Sequence, residues 1–371
     1  MALQFTRDVR VVIEDPSNSV KWEVPVLDGF SFSQAINASE ITVNEAGATS
    51  RRGRLLFNDS LAPVEWSFST YARPTLDEDT DPDQNHGVEE VLWAMFAGAS
   101  IYTSGTGIFS NSGGNLSIMT PTTHTFNFSQ SDISNFADGW DIYFQFEPTG
   151  GTAQVYKITD AVVNSATVDF DIDGIATIQW SGFGRSLADL ATAIVTPTIT
   201  LGVNSSANFI RNRISTVDLS RTDGASPNDV YNIVLTGGSI NFENNISYLT
   251  PEELGQVNAP LANISGTRSI SGNLTCYLDN DISSSLSGEL FADLVADTST
   301  VRNIFDMAIN VGSTAAPSVT FDLPTAHLEI PVINVEDLLT LDIAFHGQPS
   351  AGNVDNTDEA TIIYKGIAPG V

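Results

Sequence analysis

The second half of this chain restates the first, and a duplication of that length limits the fold more than composition can. Phe5-Thr6-Arg7-Asp8 returns as Phe209-Ile210-Arg211-Asn212. Phe30-Ser31-Phe32 followed by Ile36 returns as Ile240-Asn241-Phe242 followed by Ile246. Val64 to Tyr71 (VEWSFSTY) returns as Ile270 to Tyr277 (ISGNLTCY), and Leu92-Trp93-Ala94-Met95-Phe96 as Leu290-Phe291-Ala292-Asp293-Leu294. Asp173 to Ile178 returns as Glu336 to Leu341. The matches keep their order and their apolar pattern, which marks an internal repeat. The period is too long for a solenoid of short units. Two similar domains are expected, residues 1–197 and 198–371, joined near Thr196-Pro197-Thr198.

The pattern inside each repeat is mainly β. Leu3, Phe5, Arg7, Val9, Val11 and Ile13 share one side of an opening strand, and Trp66, Phe68 and Thr70 share one side of a later one. Val168, Phe170 and Ile172 alternate with Asp169, Asp171 and Asp173. Period-2 alternation puts those carboxylates together on one face, opposite the apolar set. Leu92, Trp93 and Phe96 have helical spacing, with Glu89 and Glu90 at the end where the helix dipole favours negative charge. Each repeat therefore reads as strands with one flanking helix. Residues 103–124, rich in Gly, Ser and Thr, read as a loop, and residues 40–56 as a long loop or hairpin arm.

Charge narrows the function classes. Asp and Glu number 45 against 15 Lys and Arg, a net charge of −30, which repels nucleic acid and acidic membranes rather than binding them. Only 16% of residues are charged, which suits a protein that covers much of its surface with copies of itself. One cysteine, Cys276, excludes an intrachain disulfide. The N-terminus alternates and carries charge, unlike a signal peptide, and no apolar run is long enough for a membrane helix, so synthesis and retention in the cytoplasm are expected.

Nothing assembles a catalytic centre. His86, His124, His327 and His346 are scattered without metal-ligand spacing, and there is no phosphate loop or nucleophile elbow. Cys276 aligns with Thr70 in the repeat, as a strand position would. The acidic turn Asp77–Asp83 lacks the spacing of a calcium loop. The expectation is a structural protein without enzymatic activity, metal or cofactor. The rival class is a β-sandwich adhesin or carbohydrate-binding module, which needs clustered exposed aromatics. Trp22, Trp66, Trp93, Trp140 and Trp180 instead fall mostly on core faces.

Several blocks resemble the tail tube (major tail) proteins of long-tailed phages, in particular the duplicated class of the T-five type of siphophage. They are Glu40 to Gly47, Arg52-Gly53, Phe57 to Leu61, Glu65 to Tyr71, Ala166 to Ile172 with Trp180-Ser181-Gly182, and Asn245 to Pro251. The resemblance implies tandem β-sandwich domains with flanking helices, whose sheets join into a closed ring barrel. Single-repeat relatives form hexameric rings, so two repeats imply trimeric, pseudo-hexameric rings stacked into a tube. Secretion tubes of the same fold have single-repeat subunits, and the duplication separates this chain from them. Members of the duplicated class can carry a C-terminal immunoglobulin-like domain, which is not expected here because the chain stops soon after the second repeat, at Val371.

The same resemblance implies assembly in the host cytoplasm into the virion tail. The implied partners are the chain itself, a tape-measure protein, a tail terminator and a distal tail or baseplate initiator. Double-stranded DNA would pass through without sequence-specific binding. Asp169, Asp171, Asp173, Glu329 and Glu336 are the candidates for a negative lumen. Glu45, Gly47, Arg51, Arg52 and Arg54 belong to the arm expected to reach another ring or subunit, with the arginines docking on carboxylates.

Overall fold

The computed structural model describes residues 8–17, 20–42, 53–77, 84–128, 139–148, 151–201, 209–223, 230–254, 256–279, 286–297, 302–335, 338–350 and 358–367. The first half runs β1 (Val9–Glu14), β2 (Lys21–Val24), β3 (Ser31–Thr42), β4 (Arg54–Tyr71), β5 (Pro74–Asp77), β6 (Gln84–Gly87) and α1 (Glu90–Phe96). Next come β7 (Ile101–Thr103), β8 (Ile108–Asn111), β9 (Gly114–Asn115), β10 (Ser117–Met119) and β11 (His124–Asn127). They are followed by β12 (Asp141–Phe146), β13 (Gln154–Thr159), β14 (Val162–Asp171), β15 (Thr177–Gly184) and β16 (Ser186–Asp189). The second half runs β17 (Thr216–Arg221), β18 (Val230–Ile233), β19 (Leu235–Glu243), β20 (Ser247–Leu249), β21 (Ala262–Ile264), β22 (Ser269–Tyr277) and α2 (Ser287–Ala296). It closes with β23 (Phe305–Val311), β24 (Ser318–Leu328), β25 (Val332–Val335), β26 (Leu339–Gly347) and β27 (Thr361–Lys365). The chain is mainly β. The stretch 103–124, expected as a loop, holds several short strands whose Ser, Thr and Gly content hides them.

The strand orders repeat. One sheet runs β3-β4-β15-β14 and continues directly into β19-β22-β26, with β25 on the outer edge of β26. Behind it, β13-β12-β1-β2 in the first half has the same order as β24-β23-β17-β18 in the second. The halves meet where β14 pairs antiparallel with β19, from Ser165↔Glu243 to Asp171↔Gly237. They meet again at β27, which lies between β24 and β11. The segment near Thr196–Thr198 runs along β2, with Glu23 N–H donating to Ile199 O at 2.9 Å.

The pairing also corrects one detail of the repeat. Ser67 stands opposite Ser31 and Asn273 opposite Ser239, so Phe32 holds the place of Ile240, two residues from the match its sequence suggests. A slip of two keeps every side chain on its face, so alternation cannot detect it. Bulk is traded between the halves at one equivalent pair. Trp66 covers Gly182, and across the corresponding strands Phe345 covers Gly272. A methyl group at either glycine would run into the ring above it.

Helix α1 is buried along its whole length. It ends where Gly98 takes φ +79° and its N–H donates to Met95 O at 3.1 Å, a backbone state only glycine adopts cheaply. Trp93 lies 4.7 Å from Trp180 of the first half, and 5.2 and 6.2 Å from Phe242 and Phe321 of the second. These edge-on contacts add to a large apolar burial. The Trp93 indole donates to Tyr364 Oη at 2.7 Å, and that hydroxyl donates to Glu89 Oε1 at 2.6 Å. Glu90, equally buried, has His86 Nδ1 at 3.0 Å and His124 Nδ1 at 3.3 Å. The helix of one half is thus tied to the last strand of the other by a buried polar chain.

The two carboxyls are poised differently. Burial raises Glu89 to about 7, although Tyr364 and the Arg73 backbone N–H favour its charged form. Burial also works to raise Glu90, but His86 and then His124 outweigh it and hold it near 2. Burial pushes His124 below its usual value. A carboxyl whose folded pKa is raised loses stability as pH climbs from its unfolded value, near 4.5, to its folded one. Glu89→Gln removes that loss. Its unfolding free energy should gain on the parent between pH 4.5 and 7, by at most about 1.4 kcal/mol per pH unit, and the gap should stay level above pH 7. Thermal melts across that range check this. A constant difference would mean that Glu89 is ionised throughout.

Candidate assembly and lumen surfaces

The sheet from β3 to β26 has one face in the core and one face outward. The outward face is built mainly from hydroxyls and amides, with carboxylates among them. Ser31, Ser67, Ser181, Ser165 and Glu243 lie side by side across five strands. The next row is Ser69, Gln179, Thr167, Asn241, Ser271 and His346. Then come Tyr71, Thr177, Asp169, Ser239, Asn273 and Ala344, and beyond them Asp171, Gly237, Thr275 and Asp342. No lysine or arginine occupies any of these rows. Alternation explains the arrangement: Val168, Phe170, Ile178, Trp180, Ile240 and Leu274 take the other parity and fill the core.

Many polar groups on this face already have partners on it. Ser165 and Ser181 hydroxyls are 2.7 Å apart, and those of Ser31 and Ser67 are 2.9 Å apart. Thr167 Oγ1 donates to Asn241 Oδ1 at 2.8 Å, Ser239 to Asn273 at 2.6 Å, and Thr275 to Asp342 at 2.9 Å. A donor turned toward a neighbour is not offered to a passing anion, and a face without lysine or arginine has no anchor for phosphate.

The structure brings some of the expected carboxylates together. Asp169 and Asp171 project from this face, exposed, with Gln179 Nε2 donating to Asp169 at 3.3 Å. Asp173 follows in the turn after β14, 3.8 Å from Arg213. Glu329 lies beyond β24, exposed, with its carboxylate 2.9 Å from His346 of β26. Glu65, Glu243 and Asp342 belong to the same face and were not singled out in the sequence. Their signal was position: each follows the same parity as the serines around it. Glu336 lies outside the described residues.

The arm is an extension of β3 and β4, which stay paired from Ile36↔Leu61 out to Thr42↔Arg54. Glu45, Gly47, Arg51 and Arg52 lie outside the described residues. Arg54 is exposed and reaches Glu40 of its own hairpin at 3.3 Å, a contact worth at most about 1 kcal/mol in solvent. The described part of the arm is more apolar than its composition implies. Ile41, Leu55, Leu56 and Phe57 are all exposed, and Leu56 is 66% accessible. Its root is held by the second half: Leu61 N–H donates to Asn258 O at 2.7 Å. Exposed apolar side chains along a long hairpin mark an interaction surface.

At the far side of the sheet, β25 pairs only with β26, and Val332 and Val335 are exposed at 61% and 78%. β3 is the opposite edge, bonded within the sheet only to β4. All five tryptophans are buried, so none serves as a platform for a sugar. His86 and His124, far apart in sequence, meet at Glu90, but among the described residues no group of His, Cys, Asp and Glu is arranged to hold a metal ion. Cys276 is buried in strand β22, its thiol pushed up to about 12 by burial and then by Asp342.

Residues 68–347, from β4 to the end of β26, match the family described as phage tail tube protein. The chain is also 31% identical over 383 residues to tail tube protein pb6 of Escherichia phage T5, covering 98% of this chain and 76% of that protein.

The exposed apolar residues and the arginine of the arm can be separated by mutation. Arg54→Ala should leave the stability of the isolated subunit within about 0.5 kcal/mol and self-association nearly unchanged, because its contact is local and exposed. Leu56→Asp with Phe57→Asp should leave the melt unchanged and strongly reduce association in sedimentation velocity. Loss of association in the arginine variant alone would make the arm electrostatic.

Proposed function

The chain belongs to the phage tail tube protein family, and from that premise we propose that three copies form a ring and that stacked rings make a DNA conduit. As a member of that family it is a structural component of the virion tail, not an enzyme, and it assembles with itself into a tube. Two tandem tail-tube domains, 1–197 and 198–371, would each supply one of six similar positions per ring. The observation that carries this reading is the continuous sheet with the same strand order twice and one free edge at each end. A sheet edge left unpaired and apolar is unstable alone, and closure removes it.

The seam inside the chain supplies a template for the seam between chains. Asn334 pairs with Thr340 as Asp169 pairs with Thr177, and Ser31 pairs with Ser67 as Ser239 pairs with Asn273. Asp169 faces Ser239 across the internal seam. By the same relation Asn334 of one copy faces Ser31 of the next, with Ile333 beside Phe32. The outward face then lines the lumen, and Asp169, Asp171 and their neighbours set its negative sign. DNA passing along it meets carboxylates and hydroxyls already engaged with one another, a surface that repels phosphate without gripping it. Assembly in the host cytoplasm, and contacts with a tape-measure protein, a tail terminator and a distal initiator, complete the reading.

Ser31→Cys combined with Asn334→Cys should cross-link rings under oxidation into species up to three chains, since facing strand positions suit disulfide geometry. The native thiol of Cys276 is buried and does not compete. Native mass spectrometry should find three chains per ring; six would refute the arrangement. Asp169→Lys with Asp171→Lys should leave tubes intact and slow DNA release from particles. Unchanged ejection kinetics would remove these residues from the lumen.

A further inference from the structure

We propose that helix α2 of one copy plugs the open end of the first-half sandwich of the next copy, repeating between chains what α1 does within one. The proposal rests on the ring reading above and adds to it a second, helix-mediated contact. The two helices occupy corresponding places, α1 after β4 with the short strands β5 and β6 between and α2 after β22, yet their surroundings differ. Every residue of α1 is buried, because α1 lies between β14 of its own half and aromatic rings of the second half. There Trp93 and Phe96 meet Phe242 of β19 at 5.2 and 6.0 Å, and Trp93 meets Phe321 of β24 and the hydroxyl of Tyr364 on β27. Asn244 Nδ2 donates to Phe96 O at 3.0 Å, so the second half also holds the end of the helix.

Helix α2 has no such cover. Leu290 and Leu294 are buried, but Phe291 is only partly so, and Ala292, Val295 and Ala296 are exposed. Phe291 is the sequence counterpart of Trp93. A helix of this length that packs on one side leaves its second apolar flank for another surface.

The receiving site is also described. The first half carries a partly exposed aromatic cluster at the edge formed by β3 and the pair β12 and β13. Phe30, Phe32, Phe146 and Tyr156 gather there around buried Phe144, with centroid distances of 4.5 Å for Phe32–Phe144 and 5.9 Å for Phe146–Tyr156. All four outer rings remain partly exposed. Among the described residues neither helix covers this cluster as α1 covers Phe242 and Phe321. The occupant is set by the repeat itself. The step that carries the first half onto the second puts α1 of the first half into the second. One more step puts α2 of the second half into the first half of the next copy. That copy is the one whose β3 closes the sheet, so the two contacts are continuous.

A photo-cross-linker tests this without relying on a destabilising change. Val295→p-benzoylphenylalanine places the probe on an exposed flank. In assembled tubes, irradiation should give a covalent dimer, and peptide mapping should find the attachment on β3, β12 or β13 of the second copy. Dilute monomer should give no dimer. Tubes that form but cross-link elsewhere would overturn the helix contact while leaving the ring intact. A protein that forms no rings or tubes would overturn both. As a second measurement, Phe291→Asp should keep the monomer melt within a few degrees and reduce tube yield at least tenfold, because an interface core tolerates no unpaired charge. Tubes from Phe291→Asp at parental yield would refute the proposal.

Discussion

The antiparallel pairing of β14 with β19 is the constraint on which the rest of the molecule depends. It turns two half-sheets into one surface, with Asp169 facing Ser239 and Val168 facing Ile240 across the join. Because pairing fixes parity, a polar row on one half must continue as a polar row on the other. The apolar parity continues likewise, so the core passes beneath the seam without a break. A one-residue error here would turn Val168 and Phe170 outward and bury Asp169.

The seam cannot stand on backbone hydrogen bonds alone. Beneath it lies α1, whose Trp93 touches aromatic rings from both halves, and β27, whose Tyr364 binds both Trp93 and Glu89. Burial of two adjacent carboxyls is costly, and each is satisfied in its own way. Glu89 is met by a hydroxyl and backbone N–H groups, Glu90 by two imidazoles. Polar groups placed this deep favour one arrangement of the surrounding elements, since few others would satisfy them. The outer face needs no such network, because solvent reaches it and its hydroxyls pair locally.

These two surfaces divide the labour expected of a tube subunit. The core side joins halves by shape and buried hydrogen bonds. The sheet edges, the apolar arm and one flank of α2 stay exposed. The negative charge of the chain opposes close association with a repulsion that salt weakens, and exposed apolar residues such as Leu56, Phe57, Val332 and Val335 carry no charge to add to it.

The mainly β class of fold and the parity of its strands are legible in the residue pattern. Trp66, Phe68 and Trp180 announced a core face, and Asp169 and Asp171 an outward one, because a strand has only two sides. The pattern also placed both helices, since Leu92, Trp93 and Phe96 need a helix to share a side. Tertiary structure alone decided which strands meet. The pairing of β14 with β19 spans some seventy residues, and no local pattern encodes a partner that far away. The two-residue slip at Phe32 was hidden for the same reason: parity survives it. His86 and Glu90 are close in sequence, but only the placement of β11 brings His124 to the same carboxylate. The apolar cluster on the arm was hidden among arginines and glycines until the pairing of β3 with β4 put Ile41 beside Leu55. Local pattern fixes which side of an element is dry. Which dry sides meet depends on long-range packing, and that exists only once the chain has folded.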